Sequence, residues 1–484
     1  MSRREQVFWG WGEPGAGPSL PGHAAGFLRS ELGVSGEVVA PPAAAADVRL
    51  PASSLDEATA ERLADVVGRA CVRTDDGARL LRAAGKSYLD LLAMRSGAVP
   101  AAPDAVVAPG SAEEVQAVLA VCADAGVAVV PFGGGTSVVG GVAPLRGPFG
   151  SVVSLDLGRL DAVSAVDVRS QTAVVGPGIR LPELDHALAA HGFTLGHHPQ
   201  SYEWATVGGC VATRSSGQAS TGFGRIEDHV VGLRCATPAG EIATLAVPAT
   251  AAGPSLREVL IGSEGTLGVL TELTLSVRPV AAARRYEAWF FRSFAEGAEA
   301  LRGLVQGGVA PDVARLSDEA ETRMSLALAG ASGVKARLGG AVLRARGYAA
   351  GCLAIFGWEG GAEDVARRRG AAVGALHAAG GLAVGRGPGE AWRAGRYGAP
   401  HLRDDLLDRG VLVETLETAT TWAGLERLHA AVGDALRGAL GGGPVLVACH
   451  VSHLYPAGAS LYFTVLARQD GDDPVGQWVA AKDA

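Results

Sequence analysis

The 484-residue sequence predicts an α+β chain of two or three domains. Three observations lead there. The length exceeds what one hydrophobic core normally supports. From Pro103 onward, short strand-like runs alternate with segments of helical spacing. The texture then changes again after Arg278-Pro279, so the expected division is an accessory, partly helical region over 1–100, a domain over 101–279 and another over 280–484.

Within the first region, Glu57 to Ala70 reads as helix, and no catalytic spacing is evident. Ser111-Ala112-Glu113-Glu114 reads as a capping box, followed by Val115, Val118, Leu119 and Cys122 at helical spacing and by Gly126 as the stop. A β-rich run, Val127 to Val130, then enters Pro131-Phe132-Gly133-Gly134-Gly135-Thr136-Ser137. Three successive glycines after a strand are expected to serve backbone conformation rather than packing. A helix follows over Leu181 to His191, with Pro182 in its first turn and Gly192 past its end. Pro238-Ala239-Gly240 between two apolar runs predicts a hairpin, and Leu273, Leu275 and Val277 alternate with Thr274 and Ser276 as a strand that Arg278-Pro279 closes.

Composition narrows the function classes. Hydrophobic residues make up 48% and charged residues 19%, and apolar runs break well before the roughly 18–20 residues of a membrane span. Met1-Ser2-Arg3-Arg4 leads into a Gly/Pro-rich stretch unlike a signal peptide, so a cytoplasmic protein with at most peripheral membrane contact is expected. The six cysteines form no CxxC pair and read as reduced thiols, and no metal site is expected. A net charge of −8 argues against nucleic acid as partner. A homodimer is left open.

A glycine-rich turn after a strand lets backbone N–H groups cradle a pyrophosphate. The spacing Gly133-x-Gly135-x-x-Val138 lacks the third glycine of a dinucleotide fingerprint. No Gly-Lys-Ser/Thr follows, and Gly262-Ser263-Glu264-Gly265 lacks the spacing of a hydrolase nucleophile elbow.

Four segments in order carry a resemblance. They are Pro131 to Ser137; Pro199-Gln200-Ser201-Tyr202-Glu203-Trp204-Ala205-Thr206-Val207-Gly208-Gly209; Ala212-Thr213-Arg214-Ser215-Ser216-Gly217; and Gly262-Ser263-Glu264-Gly265-Thr266-Leu267-Gly268. Together with Gly224-Arg225-Ile226-Glu227-Asp228 they resemble the FAD-binding domain of the vanillyl-alcohol oxidase/p-cresol methylhydroxylase superfamily, over most of residues 100–280. The resemblance implies a two-subdomain FAD-binding domain of the p-cresol-methylhydroxylase (PCMH) type. Beside it stands an α+β substrate or cap domain built on an antiparallel sheet. It makes those four segments the cofactor contacts, the first around the pyrophosphate. Many members attach FAD through a histidine near that loop; Thr136 and Ser137 stand here instead, so noncovalent FAD is implied.

The segment Cys449 to Phe463 resembles the tract of the alkyldihydroxyacetonephosphate synthase family that ends in its catalytic tyrosine, here Tyr462. Arg315 resembles that family's arginine near the flavin, and Arg403 its substrate-binding arginine; a guanidinium fork suits phosphate, although a salt bridge to a nearby acid is the plainer role for Arg403. Val413-Glu414-Thr415-Leu416-Glu417-Thr418 resembles the strand that follows, its acids structural. The implied reaction exchanges the acyl group of acyl-dihydroxyacetone phosphate for a fatty alcohol without net redox change. The flavin captures the ketose carbon and Tyr462 shuttles a proton, its pKa lowered by a cation such as Arg315.

Metal-dependent hydroxy-acid dehydrogenases carry a histidine where Tyr462 stands, which weakens an FAD-dependent oxidase or dehydrogenase of a 2-hydroxy acid or small alcohol as the alternative. His450 and His453, three apart on a strand, are expected to face opposite sides as core or surface residues. A silent flavin-binding protein is the third reading. The family continues past this strand into a run of histidines, whereas no His follows His453 before Ala484. The chain therefore reads as C-terminally truncated, and an impaired, aggregation-prone synthase is expected.

Overall fold

A computed structural model describes residues 4–15, 19–330, 340–341 and 343–484. Met1-Ser2-Arg3 of the N-terminal reading lie outside the described residues. Two compact units divide the chain: one of Met1–Ala16, Pro42–Gly217 and Gly224–Val280, the other of Gly17–Pro41, Gln218–Phe223 and Ala281–Ala484.

The first unit holds two sheets, each with its own core. In one sheet β1 (Val72–Arg73), β2 (Ala105–Val107), β3 (Val127–Phe132) and β4 (Ser151–Asp156) lie in the order β1-β2-β4-β3, and β2, β4 and β3 run parallel. The helix Ala112–Ala125 covers it with Val115, Val118, Leu119 and Cys122, all buried. Gly126 ends that helix at φ 66°. Its start is half the expected box: Ser111 accepts from Glu114 N, but the Glu114 carboxylate accepts from Gly110 N (2.6 Å).

The second sheet is antiparallel. It comprises β5 (Val163–Asp167), β6 (Thr172–Val175), β8 (Val230–Thr237), β9 (Gly240–Ala243) and β10 (Val269–Ser276), in the order β5-β6-β10-β8-β9. The predicted hairpin is β8–β9, with Thr237 opposite Gly240. Arg278-Pro279 does not end β10; it forms a separate short strand, β11, paired with β7 (Phe193–Thr194).

The other unit is built on a seven-stranded antiparallel sheet. Its strands are β12 (Ala283–Phe291), β13 (Val313–Ser317), β14 (Cys352–Gly360), β15 (Leu382–Gly385), β16 (Val411–Thr421), β17 (Val445–Tyr455) and β18 (Gly458–Arg468), in the order β15-β12-β14-β13-β17-β18-β16. Alternation along each strand sends one set of side chains to each face. Trp289, Phe356, Leu461 and Phe463 enter the large core with the helices Phe294–Gln306, Ala362–Ala378 and Leu425–Ala439. Ser460, Tyr462 and Thr464 therefore face the other side. Among the described residues no helix is long and apolar enough to cross a membrane, and all six cysteines are free thiols.

Candidate functional site

In the first unit, β3 ends at Phe132 beside Asp156 and the chain turns into Gly133-Gly134-Gly135. The expectation that all three glycines serve conformation is corrected. Only Gly135 has positive φ, 66°. A Cβ on Gly133 would stand 2.3 Å from Thr206 Oγ1 and one on Gly134 2.2 Å from the Trp204 carbonyl oxygen, so these two let the loop lie against 204–206. Close approach, not rotation, requires them.

The fourth predicted segment joins the same place. Gly262 N donates to Val211 O and Glu264 N to Ala212 O, both at 3.0 Å. A Cβ on Gly265 would lie 3.1 Å from Pro131 Cγ. Arg214 and Glu264 hold φ of 53° and 49°, left-handed values uncommon for residues with side chains. Arg214 is fixed there by ion pairs to Glu258 and, at 3.4 Å, to Glu227. Pro131, Gly133–Gly135, Trp204–Thr206, Ala212–Arg214 and Gly262–Gly265 thus converge.

Other predicted contacts hold the frame. The Tyr202 hydroxyl donates to Asp185 (2.7 Å), and Pro199, Gln200 and Ser201 form the turn before it. A Cβ on Gly208 would strike Pro177. Thr206 caps the helix Val207–Ala212 at Gly209 N. Ser215 Oγ is 2.8 Å from His197 Nε2. Thr266 bonds back to Ser263, Gly268 packs on Ala236, and Glu203, Thr213, Glu264 and Leu267 are exposed. Thr136 and Ser137 follow the loop, with Ser137 Oγ accepting from Gly141 N (3.1 Å). Burial, and then Arg278, push nearby His229 down to about 4, so it is neutral at pH 7.

A cleft is lined by Phe132 to Gly135 together with Arg4, Arg82, Lys86 and Arg180. Glycine backbone beside an excess of cations fits a pyrophosphate, so the residues present suit FAD. Sequence reasoning missed these cations because they come from three separated stretches with no motif of their own.

In the other unit Tyr462 is half-buried on β18, opposite His450 on β17 and Glu417 on β16. His450 stacks on the Tyr462 ring with centroids 5.0 Å apart. Its Nδ1 is 2.9 Å from Glu321 Oε1, which also accepts from Arg315 Nη2 at 2.8 Å. Asp318 caps the helix Glu319–Leu328 by accepting from Glu321 N, which sets Glu321 against the sheet. Burial works to raise the Glu321 carboxyl, but Arg315 and His450 outweigh it and hold it down to about 2. Burial and then Arg315 lower His450. The imidazole is therefore neutral, and it donates Nδ1–H to an ionised carboxylate, leaving Nε2 as the basic nitrogen.

Two expectations are corrected here. A register shift between Val451 and His453 flips the alternation, so His450 (opposite Tyr462) and His453 (opposite Ser460) share one face. Both are buried, and His453 lies 3.7 Å from Glu417. Tyr462 is not lowered overall: burial raises it, followed by a smaller lowering from Thr415, while Arg403 and Arg315 only moderate the rise. The phenol is protonated at rest.

Arg403, on the helix Ala399–Asp408, is buried; it donates to Val413 O (3.0 Å) and stands 3.7 Å from Glu414. Trp478 Nε1 also donates to Glu414, and Lys482 lies 3.6 Å from it. The salt-bridge role anticipated for Arg403 is present. Glu321 and His450 were missed as partners, since they lie 129 residues apart and only the pairing of β13 with β17, beside the helix that Asp318 caps, brings them together. Among the described residues no group of three or more His, Cys, Asp or Glu could hold a metal ion.

A family profile described as FAD binding domain matches residues 103–246, and one described as FAD linked oxidases, C-terminal domain, matches 280–481. The chain is an FAD-binding member of the FAD-linked oxidases, and FAD is its cofactor. It is 34% identical over 423 residues to an alkyldihydroxyacetonephosphate synthase of Dictyostelium discoideum, covering 85% of this chain and 69% of that protein. A synthase of the same name from Trypanosoma brucei brucei is 31% identical over 99% of this chain and 83% of its own length. A solved alkyldihydroxyacetonephosphate synthase matches with a TM-score of 0.90 at 30% identity, over 99% of this chain and 92% of that one. The chain belongs to the alkyldihydroxyacetonephosphate synthase family.

Proposed function

We propose that the chain exchanges the acyl group of acyl-dihydroxyacetone phosphate for a fatty alcohol, releasing a fatty acid and forming the ether bond of an ether-lipid precursor. The observation that carries this reading is the Arg315–Glu321–His450 network against the ring of Tyr462. FAD supplies, when bound, the covalent chemistry at the ketose carbon. Tyr462, protonated at rest, gives and takes the proton that moves as the carboxylate leaves and the alcohol adds. His450 holds the phenol ring from its face, and Glu321 fixes both His450 and the cationic Arg315. Arg403, oriented by Glu414, takes the phosphate of the head group. Pro131 to Ser137 receive the pyrophosphate, and with Thr136 and Ser137 in place of a histidine FAD is held without a covalent bond.

The test is incubation with acyl-dihydroxyacetone phosphate and a long-chain alcohol, reading ether product by mass spectrometry. Ether product in step with released fatty acid is expected, and flavin should leave the acid-denatured protein intact. Free fatty acid without ether product would overturn the reading.

A further inference from the structure

We infer that residues Arg4 to Trp9 form a strap that completes the flavin pyrophosphate site by fixing the glycine loop and adding one wall of its cationic cleft. The strap touches the loop directly: Gln6 Nε2 donates to the Gly134 carbonyl at 2.8 Å. Its own backbone is held by cations from elsewhere in the same unit. Arg180 donates to Arg4 O (2.6 Å), Lys86 Nζ to Val7 O (3.0 Å) and Arg95 to Trp9 O (3.4 Å). These three side chains are buried, at 8%, 5% and 7% exposure.

Lys86 ties strap and loop together, because its backbone N–H donates to Ser137 O at 2.6 Å while its ammonium holds Val7. Arg4 and Arg180 both lie over the Trp204 ring, at 5.0 and 4.8 Å, next to the residues on which Gly133 and Gly134 pack. Arg82 spans Phe132, Glu5 and Asp156.

Burying cations on carbonyl oxygens is costly for a purpose of packing alone. The cleft gives the arrangement another use. Of the cations in its lining, Arg4 pairs with Glu13 at 2.9 Å and Arg82 with Asp156 at 2.7 Å, while Lys86 and Arg180 are held on strap carbonyls and bring to the cleft the sign of charge that a diphosphate requires. Gln6 Oε1 is buried with no hydrogen-bond partner among the described residues, which marks the strap end of the cleft as incompletely satisfied by protein. Binding of FAD and ordering of the strap are therefore coupled, and each strengthens the other.

The inference rests on the reading that Pro131–Ser137 cradles the pyrophosphate, and the experiment separates the two. FAD affinity of the full-length apoprotein is measured by flavin fluorescence for Gln6→Met, Lys86→Met and the loop variant Thr136→Glu. Melting of each apoprotein is followed by circular dichroism, and protease cleavage within the strap is timed with and without FAD. Gln6→Met keeps the volume and loses the donor, so FAD should bind about three- to tenfold more weakly. Lys86→Met should weaken it by about tenfold or more. Gln6→Met should melt as the unaltered apoprotein does, and FAD should slow cleavage of the strap. If Thr136→Glu weakens FAD binding but Gln6→Met does not, and cleavage ignores FAD, the strap is packing only and the proposal falls. If Thr136→Glu also binds normally, the loop reading itself fails. Should Lys86→Met not fold, Gln6→Met and the cleavage rates decide alone.

Discussion

The glycine loop at Gly133–Ser137 and the strand face around Tyr462 build their sites by opposite means. The loop works by removing atoms: where other residues carry a Cβ, Gly133 and Gly134 leave room for Thr206 and Trp204 to close in. The strand face works by adding charge. Glu321 is buried between Arg315 and His450, and its ionised form is held by the Arg315 ion pair first and by the hydrogen bond with His450 beside it. A backbone site of the first kind is written in consecutive residues. A side-chain site of the second kind is assembled from β13, the helix Glu319–Leu328, β17 and β18, which lie far apart in the chain.

This contrast can be broken by substitution, and the largest effect falls on the strand face. Tyr462→Phe keeps the ring stacked on His450 and removes the exchangeable proton. Turnover should drop by about 10²–10⁴-fold with little change in melting temperature. Unchanged turnover would take Tyr462 out of the chemistry.

Next comes Glu321→Gln. A carboxyl held near 2 in the folded chain, against 4.5 ordinarily, contributes roughly 3 kcal/mol at neutral pH. Because the folded value is the lower one, that stability is present above about pH 4.5 and is lost as the pH falls toward about 2. Urea melts across that window should show the unaltered protein losing stability more steeply than Glu321→Gln. Parallel curves would mean that the carboxylate is not held by its two partners.

The smallest effect sharpens the loop side. Gly133→Ala puts a methyl 2.3 Å from Thr206 Oγ1 and should cost about 1–3 kcal/mol by overpacking. Adding Thr206→Ala removes the clashing oxygen. The double variant should then be more stable than the sum of the two single changes predicts, even with the helix cap lost. Strict additivity would show that Gly133 is needed for its backbone conformation after all.

The same contrast explains what the sequence made legible. The four glycine-bearing segments were readable because close backbone approach demands particular residues at fixed spacing, and they do converge. The roles within them were less readable: Tyr202 anchors to Asp185, and Gly208 serves packing on Pro177. On the strand face the tract ending at Tyr462 could be picked out, but its neighbours could not. Alternation along a regular strand put His450 and His453 on opposite faces, and the one-residue register shift after Val451 overturned it. Likewise, Arg315 and Arg403 lower the Tyr462 phenol, as a nearby cation should, yet burial outweighs them. Burial is a property of the assembled sheet and cannot be counted from spacing. The cations of the cleft, Arg82, Lys86 and Arg180, were illegible for a similar reason: each is an ordinary residue until the fold gathers them.

On the proposed reading, this flavin protein exchanges groups without consuming electrons. The most direct measurement follows fatty-acid release and reduction of an electron-accepting dye in one reaction containing acyl-dihydroxyacetone phosphate and a long-chain alcohol, beside a second reaction supplied with D-lactate or glycolate. Fatty acid released through many turnovers with the dye still oxidised, and no dye reduction in the second reaction, is the predicted result. Dye reduced in proportion to a hydroxy acid, with no exchange in the first, would contradict it.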